Sequence, residues 1–100
     1  MKRHTAEWET LWEGHQIIVK NWWDLLLRSG EELIIDGETV DQYESWFLFS
    51  RDLEAKIHTD GKEHKVRAHL GSVDFGFRMG CKFFVDDQLV GGDIHKRFIT

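Results

Sequence analysis

The sequence predicts an all-β protein, a single antiparallel β-sandwich or small barrel of about seven to nine short strands built from hairpins. An apolar strand, an Asp-led turn and a second strand follow one another three times, in residues 32–40, 55–66 and 82–90. Two of these turns read Asp-Gly, which favours a type I′ hairpin because both central residues need a positive φ. Strands repeat at short, regular intervals between the turns, as is typical of sandwiches and small barrels.

Length and composition predict one β domain over residues 1–100. The chain is 41% hydrophobic and 31% charged, as in a folded globular protein. Its net charge is −5 with acids and bases interspersed, so we expect no nucleic-acid partner. No apolar run has the length of a membrane span or of a signal-peptide core, so we expect neither a membrane nor secretion. The single cysteine, Cys81, fits a reducing cytoplasm.

The first strands are expected before the Asp-led hairpins. Residues 7–13 alternate in polarity and place Trp8 and Trp12 on one face, which predicts a strand with both indoles in the core. The same i, i+4 spacing also allows a helical turn. After Gly14 breaks the chain, residues 15–20 predict a second strand through an apolar run.

The segment between Asn21 and Gly30 is ambiguous. Asn21 could cap a short helix that carries the apolar side chains following it. Ten residues that end at a glycine leave little room for a stable helix, so an extended or irregular segment is favoured.

The hairpin in residues 55–66 has the most specific register. With a two-residue turn at Asp60-Gly61, Ile57 faces His64 and Asp52 faces His69. One face then collects five apolar residues, namely Leu53, Ala55, Ile57, Val66 and Ala68. A slip of one residue would bury the charged face, so we expect this register to be strongly specified.

The other two hairpins are predicted to be apolar on both faces. The same turn geometry pairs Leu33 with Val40 and Phe83 with Val90. Ile34 and Phe84 then point away from these pairs. Such strands are covered on both sides or lie at an interface, so homodimerisation through an apolar strand face is an open alternative.

No residue pattern predicts catalysis, a metal or a cofactor. Six histidines are present, His4, His15, His58, His64, His69 and His95. None has zinc-ligand spacing, so we predict surface imidazoles with His64 half-buried, no metal and no cofactor. Cys81 lies in a strand pattern, which predicts a buried, inert thiol. Nucleophile-elbow and phosphate-loop motifs are missing, so we predict no enzyme activity.

Five tryptophans are the only compositional indication of function. Trp22 and Trp23 are adjacent, so in an extended chain one of them points outward. Trp46 lies in an aromatic stretch with Phe47. Exposed indoles on a β-sandwich can stack on sugar rings or anchor a protein partner. The candidate binding residues are therefore Trp22, Trp23 and Trp46, and the alternative is that all five indoles belong to the core.

Three stretches together carry a resemblance to a known fold. Residues 15–21, 33–41 and 82–93 give a strand after a histidine, a hairpin at Asp36-Gly37 and a late hairpin. This order resembles a group of small uncharacterised bacterial β domains and, more distantly, the Fas apoptosis inhibitory molecule fold. Trp46-Phe47 would take the place of the Trp-Phe strand of that fold, whereas residues 21–30 and 71–80 depart from the pattern.

The resemblance implies a compact all-β, non-enzymatic interaction module. We therefore expect a non-catalytic binding or protein-interaction module whose protein partner is unknown. The alternative is a small-molecule or carbohydrate binder that uses exposed tryptophans.

Overall fold

A computed structural model describes residues 3–24, 28–45, 51–73, 78–95 and 98–99 of the chain. These residues form nine strands: β1 (Arg3–Trp12), β2 (His15–Asp24), β3 (Ser29–Ile35), β4 (Glu38–Ser45), β5 (Arg51–Thr59), β6 (Lys62–Val73), β7 (Arg78–Val85), β8 (Gln88–His95) and β9 (Phe98–Ile99). The described part of the chain contains no helix, which confirms the all-β prediction.

The strands form two antiparallel sheets. One has the order β4-β3-β2-β1-β9 and the other has the order β5-β6-β7-β8. Side chains from both sheets join in one buried cluster: Ala6, Trp8, Ile17, Val19, Trp23, Leu33, Ile35, Leu53, Ile57, Val66, Ala68, Leu70, Cys81, Phe83 and Val85. The described strands therefore form a sandwich around one core, with no ladder that joins the sheets into a single barrel.

Four two-residue turns connect the hairpins. They are Glu13-Gly14, Asp36-Gly37, Asp60-Gly61 and Asp86-Asp87, and all eight residues have positive φ. The three Asp-led turns are confirmed. The turn at Glu13-Gly14 adds a fourth hairpin where only a break was expected, because Gly14 accepts φ 80° without strain.

The register of the β5–β6 hairpin is the one the sequence predicts, including Ile57 opposite His64 and Asp52 opposite His69. The predicted pairs Leu33 with Val40 and Phe83 with Val90 are wrong. Bulges in the other two hairpins place Leu33 opposite Asp41 and Phe83 opposite Gly91. One extra residue on β4 and on β8 shifts the pairing, and an alternating pattern does not reveal such an insertion.

The ambiguous segment after Asn21 is extended where it is described. β2 continues to Asp24, beyond the expected end at residue 20, and β3 begins at Ser29. The Asp24 carboxylate accepts hydrogen bonds from Arg28 at 2.9 and 3.1 Å, which close this β2–β3 connection. Residues 25–27 lie outside the described part.

Side chains tie the two sheets together at their edges. The Asp41 carboxylate in β4 accepts the backbone N–H of Glu54 in β5 at 2.9 Å. At the other edge, the Thr10 hydroxyl in β1 donates to the Val90 carbonyl in β8 at 3.4 Å. A Cβ on Gly91 would lie 2.4 Å from the Thr10 oxygen, so the glycine permits this close approach.

Candidate functional site

A groove of about 660 Å³ crosses β1, β2, β3 and β4 on the outer face of the five-stranded sheet. Two cross-strand rows border it, Thr5-Trp22-Gly30-Glu44 and Glu7-Lys20-Glu32-Gln42. Between these rows runs a third, in which Ala6, Asn21 and Glu31 are 1–4% exposed and point into the sandwich. Because side chains alternate along a strand, the two bordering rows face away from the core.

Trp22 lies against the backbone of β3 in this groove. It is half-buried and directly opposite Gly30. A Cβ built on Gly30 would meet the indole at 2.4 Å from Nε1 and 2.7 Å from Cε2. The Asn21 side-chain amide donates to the Gly30 carbonyl at 3.3 Å and holds this part of β3 against β2. The glycine therefore makes the space in which the indole sits.

The groove has an acidic border. Glu7, Glu32 and Glu44 contribute three carboxylates, and Lys20 contributes one ammonium group. Glu32 also accepts a hydrogen bond from the Thr39 hydroxyl. Together with the half-buried indole and with Tyr43, which also lines the groove and is 56% exposed, these groups offer hydrogen-bond acceptors beside aromatic surface.

The three predicted binding tryptophans have different positions. Trp22 borders the groove, and Trp23 is 8% exposed in the core, so the expectation that one of this adjacent pair points outward is confirmed. Trp8 lies in the core as predicted. Trp46 lies outside the described residues.

A second constellation, which the sequence reading missed, consists of two matching His–Asp pairs at hairpin turns. His15 Nδ1 lies 2.6 Å from a carboxylate oxygen of Asp36, and His64 Nδ1 lies 2.6 Å from one of Asp86. The other oxygen of each carboxylate accepts a backbone N–H, from the residue after each histidine, at 2.9 and 3.0 Å. Each pair thus fastens a turn to the neighbouring strand.

Both pairs meet the same indole. Trp12 stacks on His15 with ring centroids 6.5 Å apart and meets the His64 ring edge at 4.9 Å. The histidine hydrogen bonds, followed by the backbone N–H bonds, lower the pKa of Asp36 and of Asp86. An ionised carboxylate can only accept, so each imidazole donates its Nδ1 proton to the aspartate. We call the two pairs His–Asp ties because each joins a turn to the neighbouring strand.

The signal for these ties was present in the sequence. A histidine two residues before Ile17 or Val66 is followed, 21 or 22 residues later, by the first Asp of a turn. Only the pairing of β2 with β3, and of β6 with β7, shows that the two types of residue meet.

The remaining candidates for chemistry are Cys81 and the other described histidines. Cys81 is 1% exposed, as predicted, and burial raises the pKa of its thiol to about 12, so a reactive thiolate is disfavoured. His64 is half-buried, His58 is exposed near Glu63 and His69 bonds Asp52 at 2.7 Å. Among the described residues no three His, Cys, Asp or Glu side chains form a group that could hold a metal ion.

The two halves of the chain repeat one meander, which allows an internal comparison of the groove. The orders β1-β2-β3-β4 and β5-β6-β7-β8 match, and the His–Asp ties occupy equivalent positions in each half. Counted from these ties, Trp22 and Gly30 correspond to Gly71 and Gly80, which also face each other. The second half therefore forms the same strand pair without a tryptophan.

Comparison with protein-family models, curated proteins and solved structures finds no match to this chain. A search of the described residues finds no helix that is long and apolar enough to cross a membrane.

Proposed function

We propose that this chain is a non-catalytic binding module that takes its partner in the groove on the outer face of the five-stranded sheet. The observation that carries this proposal is the packing of the Trp22 indole against the backbone of Gly30. This packing places an indole in a polar groove of about 660 Å³. Ligand sites are commonly concave and of this size and combine aromatic surface with polar groups, although most are more apolar than this groove.

The internal comparison supports a binding role for Trp22. The equivalent strand pair in the second half has glycine at both positions, Gly71 and Gly80, and still keeps its register. The meander therefore does not need an indole at this point. A large aromatic residue held on the outer face of a sheet is costly to leave partly exposed, and such residues often serve as binding anchors.

The test follows the five indole N–H signals of the ¹⁵N-labelled protein by NMR, with the Trp22 signal assigned from a W22F variant. The probes are maltotriose, chitotriose and short basic, acidic and neutral peptides. We expect at least one probe to shift the Trp22 signal while the core indoles Trp8 and Trp23 keep theirs. The proposal fails if no probe moves Trp22, or if all the indoles move together.

Carbohydrate binding is the second candidate. An oligosaccharide could stack one ring on Trp22 while its hydroxyl groups donate to Glu7, Glu44 and Gln42 across the groove. A shift of the Trp22 signal with either trisaccharide, and with none of the peptides, would favour this candidate.

Self-association is a separate prediction. Ile18 and Ile34 are half-buried cross-strand neighbours on the outer face of the same sheet as the groove. A monomer by sedimentation velocity at high protein concentration would argue against the homodimer. A cytoplasmic location and kinship with the small bacterial β domains or the Fas apoptosis inhibitory molecule fold also stay predictions.

A further inference from the structure

We propose that the groove binds a short, extended, basic segment of a protein partner, with an arginine side chain placed over the Trp22 indole. This inference rests on the proposed function, because it names the class of ligand that the same groove takes. It is carried by the charge of the groove, by its length and by the position of the indole.

The charge of the groove favours a cationic ligand. Glu7 and Glu32 lie in one bordering row and Glu44 lies in the other, so carboxylates stand on both sides of the groove. Lys20 is the one basic residue among those that line it. Guanidinium and ammonium groups entering between the rows would meet carboxylates on either side, whereas an acidic ligand would be repelled.

The corresponding row of the second half differs in charge. Counted from the His–Asp ties, Lys20 and Glu32 correspond to His69 and Lys82, which face each other in β6 and β7. In the second half this pair therefore has no carboxylate, because Lys82 stands at the position equivalent to Glu32. Beside this pair the second half keeps an acid, because Asp52 faces His69 as Glu7 faces Lys20. Opposite the glycine it has Ile94 where the groove has Glu44. The carboxylates of Glu32 and Glu44 are therefore not a requirement of the meander.

The dimensions fit a short segment of extended chain. The groove crosses four neighbouring strands, so its ends are about 14 Å apart at the usual spacing of strands. At about 3.3 Å per residue, that span holds about four or five extended residues. The segment would lie across the strands, so its side chains, rather than a backbone ladder, would provide the contacts.

The indole supplies a contact that suits arginine. Trp22 lies in the row that ends at Glu44, and Gly30 separates them. A guanidinium group over the indole is attracted by the π electrons, and tryptophan is the strongest aromatic partner for a cation. From that position the guanidinium can also reach towards a carboxylate in the same row, which combines stacking with a charged hydrogen bond.

The experiment titrates the intact protein with a capped peptide of alternating arginine and glycine, about five residues long. Peptides in which glutamine or glutamate replaces arginine, and maltotriose, serve as comparisons. Binding is followed by the Trp22 indole signal and by calorimetry at low and high salt. The variants are E32Q, E44Q and K20Q, and the control is D87N, which removes a charge from a turn residue that does not line the groove.

We expect the arginine peptide to shift Trp22 and to bind more weakly at high salt. E32Q and E44Q should each raise Kd by about two- to fivefold and K20Q should lower it by a similar factor, the effect of one exposed charge pair. D87N should leave Kd unchanged.

Four results would overturn this inference. Equal weakening by D87N would indicate general attraction to an acidic protein. Equal binding of the glutamine peptide would remove the role of charge. A shift of Trp22 by maltotriose, with none by the arginine peptide, would overturn the basic segment and leave the proposed function standing. If no probe shifts the Trp22 indole signal, both this inference and the proposed function are overturned.

Discussion

Replacing Gly30 with alanine tests directly how the groove is built. A Cβ at this position would lie 2.4 Å from Trp22 Nε1 and 2.9 Å from Cζ2. Ordinary contacts between such atoms are about 3.5 Å, so the indole would have to move by about 1 Å or leave its seat. Overpacking of this kind costs about 1–3 kcal/mol.

A second effect of the same substitution has the opposite sign. Gly30 has an extended conformation that alanine adopts without strain, and glycine within a strand is less stable than alanine by about 0.5–1 kcal/mol. G30A should therefore destabilise the wild-type protein by about 1 kcal/mol in net terms. In a W22A background no indole opposes the new methyl group, so G30A should stabilise by about 0.5–1 kcal/mol.

The assay is a double-mutant cycle in urea, followed by far-ultraviolet circular dichroism because W22A changes the fluorescence. The change of sign between the two backgrounds is the expected signature, and it gives a coupling energy of about 1–3 kcal/mol. Equal effects of G30A with and without Trp22 would refute the reasoning. The reasoning would also be refuted if G30A left the stability unchanged in wild type and did not stabilise the W22A protein.

Three further predictions concern the rest of the fold. The bonds that lower the pKa of Asp36 and Asp86 from 3.8 add stability above the unfolded pKa, and this contribution is lost as the pH falls through the folded pKa. The urea midpoint of wild type should therefore fall more steeply below pH 3.8 than that of a D36N/D86N variant. The control D60N, at an equivalent turn position, should follow wild type. Parallel plots of urea midpoint against pH for all three proteins would contradict a stabilising role of the His–Asp ties. Cys81 should resist iodoacetamide in the folded protein and react in concentrated guanidinium chloride, as measured by mass spectrometry, and rapid native labelling would contradict its burial. D41A should lower the free energy of unfolding in urea by about 1–2 kcal/mol, because the Glu54 N–H at the edge of β5 loses its acceptor. D41N should lower it by less, since the amide oxygen can still accept. Equal losses in the two variants would exclude the acceptor role.

Local chemistry made most of the fold predictable. An aspartate in each of the three Asp-led turns adopts positive φ at the first turn position, and the alternating face of β5 and β6 specified their register. The bulges beside Leu33 and Phe83 were not predictable, because an inserted residue leaves the polarity pattern of each strand almost unchanged. The turn at Glu13-Gly14 was missed as a hairpin because its first residue is an unusual choice for positive φ.

The candidate site was predictable only in part. Adjacency alone indicated that one of Trp22 and Trp23 points outward, since neighbouring side chains in a strand lie on opposite faces. Which of the two does so depends on the face of β2 that meets the core, and that choice depends on the second sheet. Glu7, Glu32 and Glu44 belong to three different strands and carry no local signal of proximity.

The sequence by itself determined the all-β class, the Asp-led turns and the strand faces, because these depend on φ preferences and on a side-chain period of two residues. Tertiary structure alone decided that Trp22 rests on Gly30 and that carboxylates from several strands border one groove. Cross-strand rows form only when the relative register of β1, β2, β3 and β4 is set, and burial of the shared core sets it.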